Sequence, residues 1–292
     1  MNQEKFSFIE GMALGALGAH TKVKAIQSLA GGCINQAVKI STNTGSYFVK
    51  WAQEESSQFE VEAKALAILK SAGSIKVPEV INHGSFWNRS FLVLEYIHPG
   101  EPSKDFWGDF GAQLAELHRR NHGVEKYGLD HNNFIGSLEQ RNEWESQWID
   151  FFIQKRLEPQ ISLAYFNGHI GNRFLSNFRQ LYDVLPGMLT EEKPALLHGD
   201  LWSGNFMVGK GGVPFIIDPA LYYGNREIEI AFTQLFGGFS DRFYRAYSEV
   251  WPLKDGFSER VNLYNLYPLL VHLNLFGNSY LPGIEKTLRR YV

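Results

Sequence analysis

The chain has 292 residues, of which 44% are hydrophobic and 20% charged, so it is long enough for two lobes with a core each. Its 28 basic and 31 acidic residues give a net charge of -3, which does not favour nucleic acid or an anionic membrane as a partner and leaves a small ligand as the expectation. Cys33 is the only cysteine, which excludes internal disulfides and thiolate zinc clusters and favours a reducing, cytoplasmic compartment. The first residues lack the pattern of a signal peptide, and no run is apolar and long enough for a membrane span.

The first third of the chain predicts a small antiparallel sheet with one helix. Residues 23–52 alternate apolar and polar side chains in short runs separated by glycine-containing turns, which predicts three strands. Residues 57–73 change to helical spacing. Two more strand-like runs follow around a predicted turn at Gly84.

The dipeptide Pro99-Gly100 must change the direction of the chain. We therefore place a boundary there, between a first lobe of residues 1–97 and a second lobe of residues 98–292. Helical patterns dominate the second lobe, except for a strand-rich segment at residues 195–217.

The segment "HGDLWSGN", residues 198–205, lies between two predicted strands, and a second acid, Asp218, ends the following strand. The spacing H-x-D-L-x-x-x-N equals that of a kinase catalytic loop. A carboxylate near an incoming hydroxyl, with an amide and a second carboxylate for Mg²⁺, is the set that phosphoryl transfer from ATP requires. The pattern thus predicts an ATP-dependent kinase with Asp200 as the catalytic carboxylate near the substrate hydroxyl, and Asn205 and Asp218 as metal ligands.

A kinase also needs a lysine that reaches the phosphates and a glutamate that holds this lysine. Lys50 lies on the third predicted strand, and the next helix offers Glu60 and Glu62. Glu62 is preferred because it opens the apolar pattern of the helix.

Other ATP contacts are predicted in the first lobe. The turn that contains Gly31, Gly32, Cys33 and Asn35 is expected to cover the phosphates with backbone N–H groups. Backbone groups of Glu95 and Ile97 are expected to pair with adenine.

Seven segments along nearly the whole chain resemble the fructosamine kinase (ketosamine kinase) family, within the aminoglycoside-phosphotransferase-like and protein-kinase-like superfamily. They are "GGCIN" at 31–35, "FVK" at 48–50, "NNFIGSLEQRNEWESQW" at 132–148, "HGDLWSGN", "DPALYYGNREIEIAF" at 218–232, "LFGGF" at 235–239 and "LNLFGNSY" at 273–280. The resemblance implies a two-lobed α+β protein-kinase-like fold. It also implies ATP-dependent phosphorylation of the sugar of ketosamines at the 3-position, which makes the adduct labile and removes glycation from lysines of proteins or from metabolites.

Substrate contacts are expected after the catalytic aspartate. The indole of Trp202 suits stacking on a sugar, or else packs under the loop. Tyr222, Tyr223, Arg226 and Glu227 are candidates for contact with the acceptor, although the last two are also candidates for a structural ion pair. Asn225 departs from the histidine or aspartate expected there in many relatives, which leaves the acceptor preference open.

Three further interpretations concern single residues and partners. The sequence "DPA" at residues 218–220, with no "APE" following, argues against a phosphorylated activation loop that docks protein substrates. Oxidation of Cys33, for example to an intersubunit disulfide, is hypothesised to lower ATP binding. His118 and His122 are interpreted as core or surface histidines because no third metal ligand lies near them in sequence.

Two alternatives to a ketosamine kinase remain open. One is a related kinase that acts on an aminoglycoside, choline or a free sugar, and the other is a silent nucleotide-binding module. A monomer or a homodimer is expected.

Overall fold

A computed structural model of the chain describes residues 3–29, 36–120 and 123–292. The chain forms two compact units, the first comprising residues up to Phe106 together with Met207–Asp218, and the second Trp107–Phe206 with Pro219–Val292. Compared with the predicted lobes, the first unit extends past residue 97 and gains the later segment. The reason is local pairing within this unit, since Gly100 donates its N–H to the carbonyl of Val208.

The strands in chain order are β1 Val23–Ser28, β2 Gln36–Thr42, β3 Ser46–Trp51, β4 Val80–Phe86, β5 Arg89–Glu95, β6 Asn133–Ile135, β7 Leu138–Gln140, β8 Ala195–Leu197, β9 Phe206–Gly209, β10 Val213–Ile216 and β11 Tyr222–Gly224. The α-helices are α1 Gln3–Leu17, α2 Gln58–Ala72, α3 Phe106–Arg119, α4 Trp148–Phe151, α5 Glu158–Phe166, α6 Asn172–Met188, α7 Arg226–Thr233, α8 Asp241–Val250, α9 Phe257–Tyr264, α10 Leu266–Phe276 and α11 Leu281–Tyr291. A π-helical turn, Phe152–Leu157, joins α4 to α5, and a 3₁₀ turn, Asn278–Tyr280, joins α10 to α11. A sheet-rich first unit and a helical second unit confirm the predicted α+β class.

The first unit is built on a five-stranded antiparallel sheet in the order β1-β2-β3-β5-β4. Alternate side chains of the central strands face one core, where Val38, Ile40, Val49 and Val93 are fully buried. The predicted helix is α2, which ends at Gly73 in the left-handed conformation, φ 68°.

The predicted turn at Gly84 is wrong. Gly84 lies inside β4 opposite Phe91, and the chain reverses at Trp87-Asn88, where both residues have positive φ, 49° and 56°. Two successive left-handed residues make a type I′ hairpin turn, whose twist matches that of the flanking strands. Asparagine adopts this conformation readily whereas tryptophan does not, so the turn lacks its usual sequence signal.

A second helix, α1, joins the predicted one in the first unit. Phe8, Ile9, Met12 and Ala13 form its buried face against the sheet. Gly11 brings the helix close to β4, since a Cβ at this position would collide with the ring of Phe86. Glycines within the helix weaken its propensity, so local sequence does not reveal it.

The strand-rich segment divides between the two units. Strands β9 and β10 pair with each other in the first unit, whereas β8 pairs with β11 in the second. In the second unit one apolar core is closed by α4 to α7 and α9 to α11, with Trp148, Phe151, Leu181 and Tyr264 among its fully buried members. In the part of the chain that the structure describes, no helix is long and apolar enough to cross a membrane.

Candidate active site

Lys50, which is itself buried, lies at the centre of an ionic cluster in the first unit. Its ammonium Nζ is 2.7 Å from Glu62 Oε2 and 2.7 Å from Asp218 Oδ1. Strand β3 places the lysine beside the helix α2 that carries Glu62, and Asp218 follows β10. Glu60, the alternative partner, instead pairs with Lys64 on the exposed face of α2 at 2.8 Å.

Burial and charge act in opposite directions within this cluster. Burial lowers the pKa of Lys50, but the carboxylates of Asp218 and Glu62 more than offset this and raise the pKa above its ordinary value. Burial raises the pKa of Glu62 to about 7, against the attraction of Lys50. The lysine is therefore cationic at neutral pH, whereas Glu62 is the group that a change of pH can titrate.

Asp218 occupies an unusual backbone conformation. Its φ is 55°, in the left-handed region that few residues other than glycine adopt, aspartate and asparagine among them. Its side chain is 49% exposed although one carboxylate oxygen contacts Lys50. The backbone thus leaves an acid half exposed just after a half-buried strand. Backbone strain of this kind is often associated with function.

In the second unit the loop between β8 and β9 carries Asp200. Asn205 Nδ2 donates to the Asp200 carboxylate at 2.9 Å and to the Asp200 carbonyl at 2.7 Å. The backbone N–H of Asp200 donates to Nδ1 of the buried His198 at 3.3 Å. His198 therefore shapes the loop, and Asn205 orients the carboxylate.

Gly199 allows this loop to pass close to the backbone of Ala220. Its φ is 84°, and a Cβ on it would collide with the carbonyl of Ala220. Ala220 in turn donates its N–H to the carbonyl of His198 at 2.9 Å. The glycine is required here both by conformation and by space.

Glu229 on α7 binds the backbone of the same loop, although no sequence pattern singled it out. Its carboxylate accepts the backbone N–H of His198 at 3.1 Å and that of Gly199 at 2.6 Å. His118 Nε2 lies 2.8 Å from the same carboxylate, and His118 Nδ1 lies 2.8 Å from the hydroxyl of Tyr247. Although burial opposes ionisation of Glu229, these hydrogen bonds lower its pKa overall. His118 is thus a core histidine; His122 lies outside the described residues.

A buried amide network supports the segment that follows Asp218. Asn133 Nδ2 donates to the Leu221 carbonyl at 2.7 Å, and Gln140 Nε2 donates to the Ala220 carbonyl at 3.0 Å. The hydroxyl of Tyr267 donates to Gln140 Oε1 at 2.7 Å. The motif at 132–148 therefore positions backbone near the catalytic loop within the second unit.

Trp202 is partly exposed and packs over Gly204, where a Cβ would collide with the indole. Tyr223 is nearly buried, and its ring centroid lies 6.3 Å from that of the exposed Trp144. Both remain available as candidates for acceptor contact.

Three other residues that were predicted to contact the substrate are buried. Tyr222 is 1% exposed, and the guanidinium of Arg156 lies 3.9 Å from the centre of its ring. Arg226 is buried against Glu192 at 2.8 Å, and Glu227 against Arg260 at 2.6 Å. The two charged residues therefore form structural ion pairs, but with other partners than each other. Their burial argues against the acceptor contacts predicted for all three.

Asn225 caps the first turn of α7. Its side chain accepts the N–H of Glu227 at 3.0 Å and donates to the carbonyl of Thr190 at 2.7 Å. This fully buried position fits asparagine as a helix N-cap and gives it no exposed surface for an acceptor.

The predicted adenine contacts lie at the end of β5. The N–H of Glu95 donates to the Glu79 carbonyl at 2.8 Å, so this N–H is already used inside the sheet. Ile97 follows the strand with a buried side chain. The predicted phosphate-covering residues Gly31, Gly32, Cys33 and Asn35, and with them the redox hypothesis for Cys33, lie outside the described residues.

Asp218 in the first unit and Asn205 in the second each offer the kind of oxygen that a hard cation prefers. The amide of Asn205 gives its Nδ2 protons to Asp200, so that Oδ1 remains as a ligand atom. Among the residues described, no group of three or more His, Cys, Asp or Glu side chains forms a metal site by itself. Mg²⁺ with few protein ligands is the usual arrangement where phosphates supply the others.

Comparison with known proteins identifies the family. The fructosamine kinase family model matches residues 7–292. A probable ketoamine kinase of Synechocystis sp. is 38% identical over 279 residues, which cover 94% of this chain and 92% of that protein. The chloroplastic protein-ribulosamine 3-kinase of Oryza sativa subsp. indica is 39% identical over 271 residues, which cover 90% of this chain and 77% of the rice protein.

Solved structures confirm the kinase-like fold. The crystal structure of a "putative fructosamine-3-kinase" from Haemophilus somnus has a TM-score of 0.88 at 32% identity and covers 98% of this chain and 97% of its own. An aminoglycoside phosphotransferase, APH(4)-Ia, in a ternary complex with AMP-PNP and hygromycin B has a TM-score of 0.65 at 14% identity, with 97% and 96% coverage, which shows the fold alone. By the extent of these matches, this chain belongs to the fructosamine kinase family.

Proposed function

We propose that this chain is an ATP-dependent kinase that phosphorylates a sugar hydroxyl of ketosamines, the adducts of ketoses such as ribulose or fructose with lysine. The names of its relatives and its family membership support this activity. Phosphorylation at the 3-position, as the resemblance implies, makes the adduct labile, so the role is removal of glycation from proteins or metabolites.

The observation that carries the proposal is the contact of the buried Lys50 with both Glu62 and Asp218. A lysine held by a helix carboxylate, next to an acid that ends a strand, is the set that positions ATP in kinases. In this role Lys50 binds the α- and β-phosphates, and Glu62 keeps its ammonium in place.

Asp200 is proposed as the residue that accepts the acceptor's proton. The hydroxyl oxygen attacks the γ-phosphorus, the bond to the bridging oxygen of ADP breaks, and the hydroxyl proton passes to the Asp200 carboxylate. Asn205 fixes the orientation of this carboxylate, and Glu229 fixes the backbone that carries it.

Asp218 and Asn205 are proposed to hold Mg²⁺, which when bound supplies positive charge against the phosphate oxygens. The other predicted contacts with ATP and the acceptor are part of the same proposal. They are Gly31, Gly32, Cys33 and Asn35 for the phosphates, Glu95 and Ile97 for adenine, and Trp202 and Tyr223 for the acceptor. A cytoplasmic location and a monomeric or homodimeric state also stay predictions.

The test measures ADP release by the purified protein with ATP and Mg²⁺, offering ribulosyl-lysine, fructosyl-lysine, free ribulose and kanamycin in parallel. Asp200→Asn is the variant, with the exposed Asp241→Asn as matched control. Turnover of a ketosamine that is lost only in Asp200→Asn supports the proposal. Turnover of kanamycin alone, or of no ketosamine, would overturn it.

A further inference from the structure

A row of aromatic rings leads away from the catalytic loop within the second unit; its members, Trp202, Phe236, His272 and Tyr280, are called the aromatic wall below. Trp202 meets Phe236 edge to face, with centroids 6.0 Å apart. The His272 ring lies 4.6 Å from Phe236 and 5.0 Å from Tyr280. All four are only partly buried, so the wall presents ring surface to solvent.

The wall is built from two of the motifs in the sequence that carry no role so far. Phe236 belongs to "LFGGF", and Tyr280 ends "LNLFGNSY" on the 3₁₀ turn after α10. Phe232 and Phe276 flank the His272 ring at 6.4 and 5.4 Å. The two ring nitrogens of His272 therefore lie among aromatic rings.

Hydrogen bonding fixes the state of this histidine. Nδ1 lies 2.7 Å from the carbonyl of Pro268, which can only accept, so Nδ1 carries the proton. Burial lowers the pKa of His272, partly offset by the same hydrogen bond, and this favours the neutral ring. A neutral ring protonated at Nδ1 leaves Nε2 as an acceptor, and no described residue donates to it.

We infer that His272 Nε2 accepts a hydrogen bond from the secondary ammonium group of the ketosamine, while the wall binds the amine's carbon chain. This inference rests on the proposed function. It assigns to His272 Nε2 the recognition of the nitrogen that a ketosamine has and a free ketose lacks. A ketose offers hydroxyls at both ends, whereas the ketosamine has a cationic nitrogen next to the sugar.

The chemistry of the wall suits such a cation. Ring faces attract an ammonium group by cation–π interaction, and a neutral imidazole accepts one of its protons. The order of the rings also suits the ligand, because Phe236 and His272 follow Trp202 along the wall and an amine attached to a sugar stacked on Trp202 can reach them. Recognition would then use no carboxylate, unlike an acidic pocket built for a polycationic aminoglycoside.

Two variants separate the acceptor atom from the ring. His272→Phe keeps an aromatic ring in the wall but removes Nε2, and His272→Gln restores an acceptor without the ring. The exposed His83→Phe in β4 is the matched control. For each protein, kcat and KM are measured with ribulosyl-lysine, and KM or the inhibition constant with free ribulose.

The inference predicts that His272→Phe raises KM for ribulosyl-lysine about tenfold, the effect of one lost hydrogen bond to a charged group, with kcat nearly unchanged. His272→Gln should recover part of this loss, and the constant for ribulose should not move. An unchanged KM for ribulosyl-lysine, or an equal rise for ribulose, would overturn it. Absence of any ketosamine turnover in the unmodified protein would instead refute the proposed function.

Discussion

Asn205 and Asp200 form a closed pair within the catalytic loop, in which one amide group donates to both the carboxylate, at 2.9 Å, and the backbone carbonyl, at 2.7 Å, of the same aspartate. Asn205→Asp keeps an oxygen for a metal, but it loses the Nδ2 donor with both of its hydrogen bonds and sets a second carboxylate beside Asp200. We expect kcat to fall at least about tenfold and the acidic limb of the pH–rate profile to move to higher pH. Profiles of kcat against pH test this, with the exposed Asn167→Asp as control. An unmoved limb would contradict the orienting role.

The Lys50 cluster predicts a pH dependence of ATP binding. Because Glu62 has a pKa of about 7 in the folded protein, it gains a proton as the pH falls below neutrality and then holds Lys50 less firmly. KM for ATP should therefore rise between pH 8 and pH 6, and Glu62→Gln should raise KM at pH 8 and remove this pH dependence. Glu60→Gln, which loses only the exposed pair with Lys64, serves as control.

The free energy of unfolding should also depend on pH through Glu62. The folded pKa of Glu62 lies above its ordinary value of 4.5, so the folded state binds this proton more tightly than the unfolded state. The contribution of Glu62 to the free energy of unfolding is therefore fully present below pH 4.5 and is lost as the pH rises through about 7. Chemical unfolding from pH 4 to pH 8 should show a smaller decline in Glu62→Gln. An equal decline in both proteins would contradict a raised pKa.

Replacement of Glu229 should lower both the free energy of unfolding and kcat. Glu229→Gln leaves a group that cannot accept from His198, Gly199 and His118 at once, so we expect a loss of about 1–3 kcal/mol in the free energy of unfolding. Displacement of Asp200 should also lower kcat about ten- to a hundredfold. The exposed Glu249→Gln is the control, and unchanged kcat in a folded Glu229→Gln protein would show that the loop does not depend on it.

The pH dependence of this second site has the opposite sign. The folded pKa of Glu229 lies below its ordinary value, so its contribution to stability is present above that value and is lost as the pH falls. The destabilisation in Glu229→Gln should accordingly shrink toward acidic pH.

Gly199 and Gly187 give a matched pair of glycine substitutions. Gly199→Ala places a methyl group against the Ala220 carbonyl at a positive φ, and we expect it to cost more than about 1 kcal/mol and to lower kcat. Gly187→Ala meets no atom within 4 Å and lies in α6, so it should be neutral or stabilise by about 0.5–1 kcal/mol. Thermal unfolding of both variants measures the difference; equal effects would contradict the argument.

Much of the fold could be predicted because its signals are local. Strand alternation in residues 23–51 and the helical spacing of α2 reflect one buried face each, and periodicity reveals such faces directly. The loop at 198–205 was identifiable because catalysis requires fixed residue types at fixed spacing.

Other features depend on tertiary contacts that periodicity does not report. The turn at Trp87-Asn88 begins with a tryptophan where asparagine, aspartate or glycine is usual, and Trp87 stacks on Phe86 with ring centroids 5.3 Å apart. Glu229 looks like one more acid on a short helix, and only the pairing of β8 with β11 brings His198 and Gly199 to it. For α8 a signal was present in the sequence, because Ser240 caps it and Phe243, Ala246 and Tyr247 share one face.

The most direct test of the central claim is ³¹P NMR of ribulosyl-lysine incubated with ATP, Mg²⁺ and the protein, with Asp200→Asn in parallel. We expect a phosphate monoester signal on the ketosamine to appear as ADP accumulates, followed by inorganic phosphate and free lysine, and none of these to appear with the variant. Release of ADP and inorganic phosphate with no sugar phosphate, or an ester signal that persists in Asp200→Asn, would contradict the central claim.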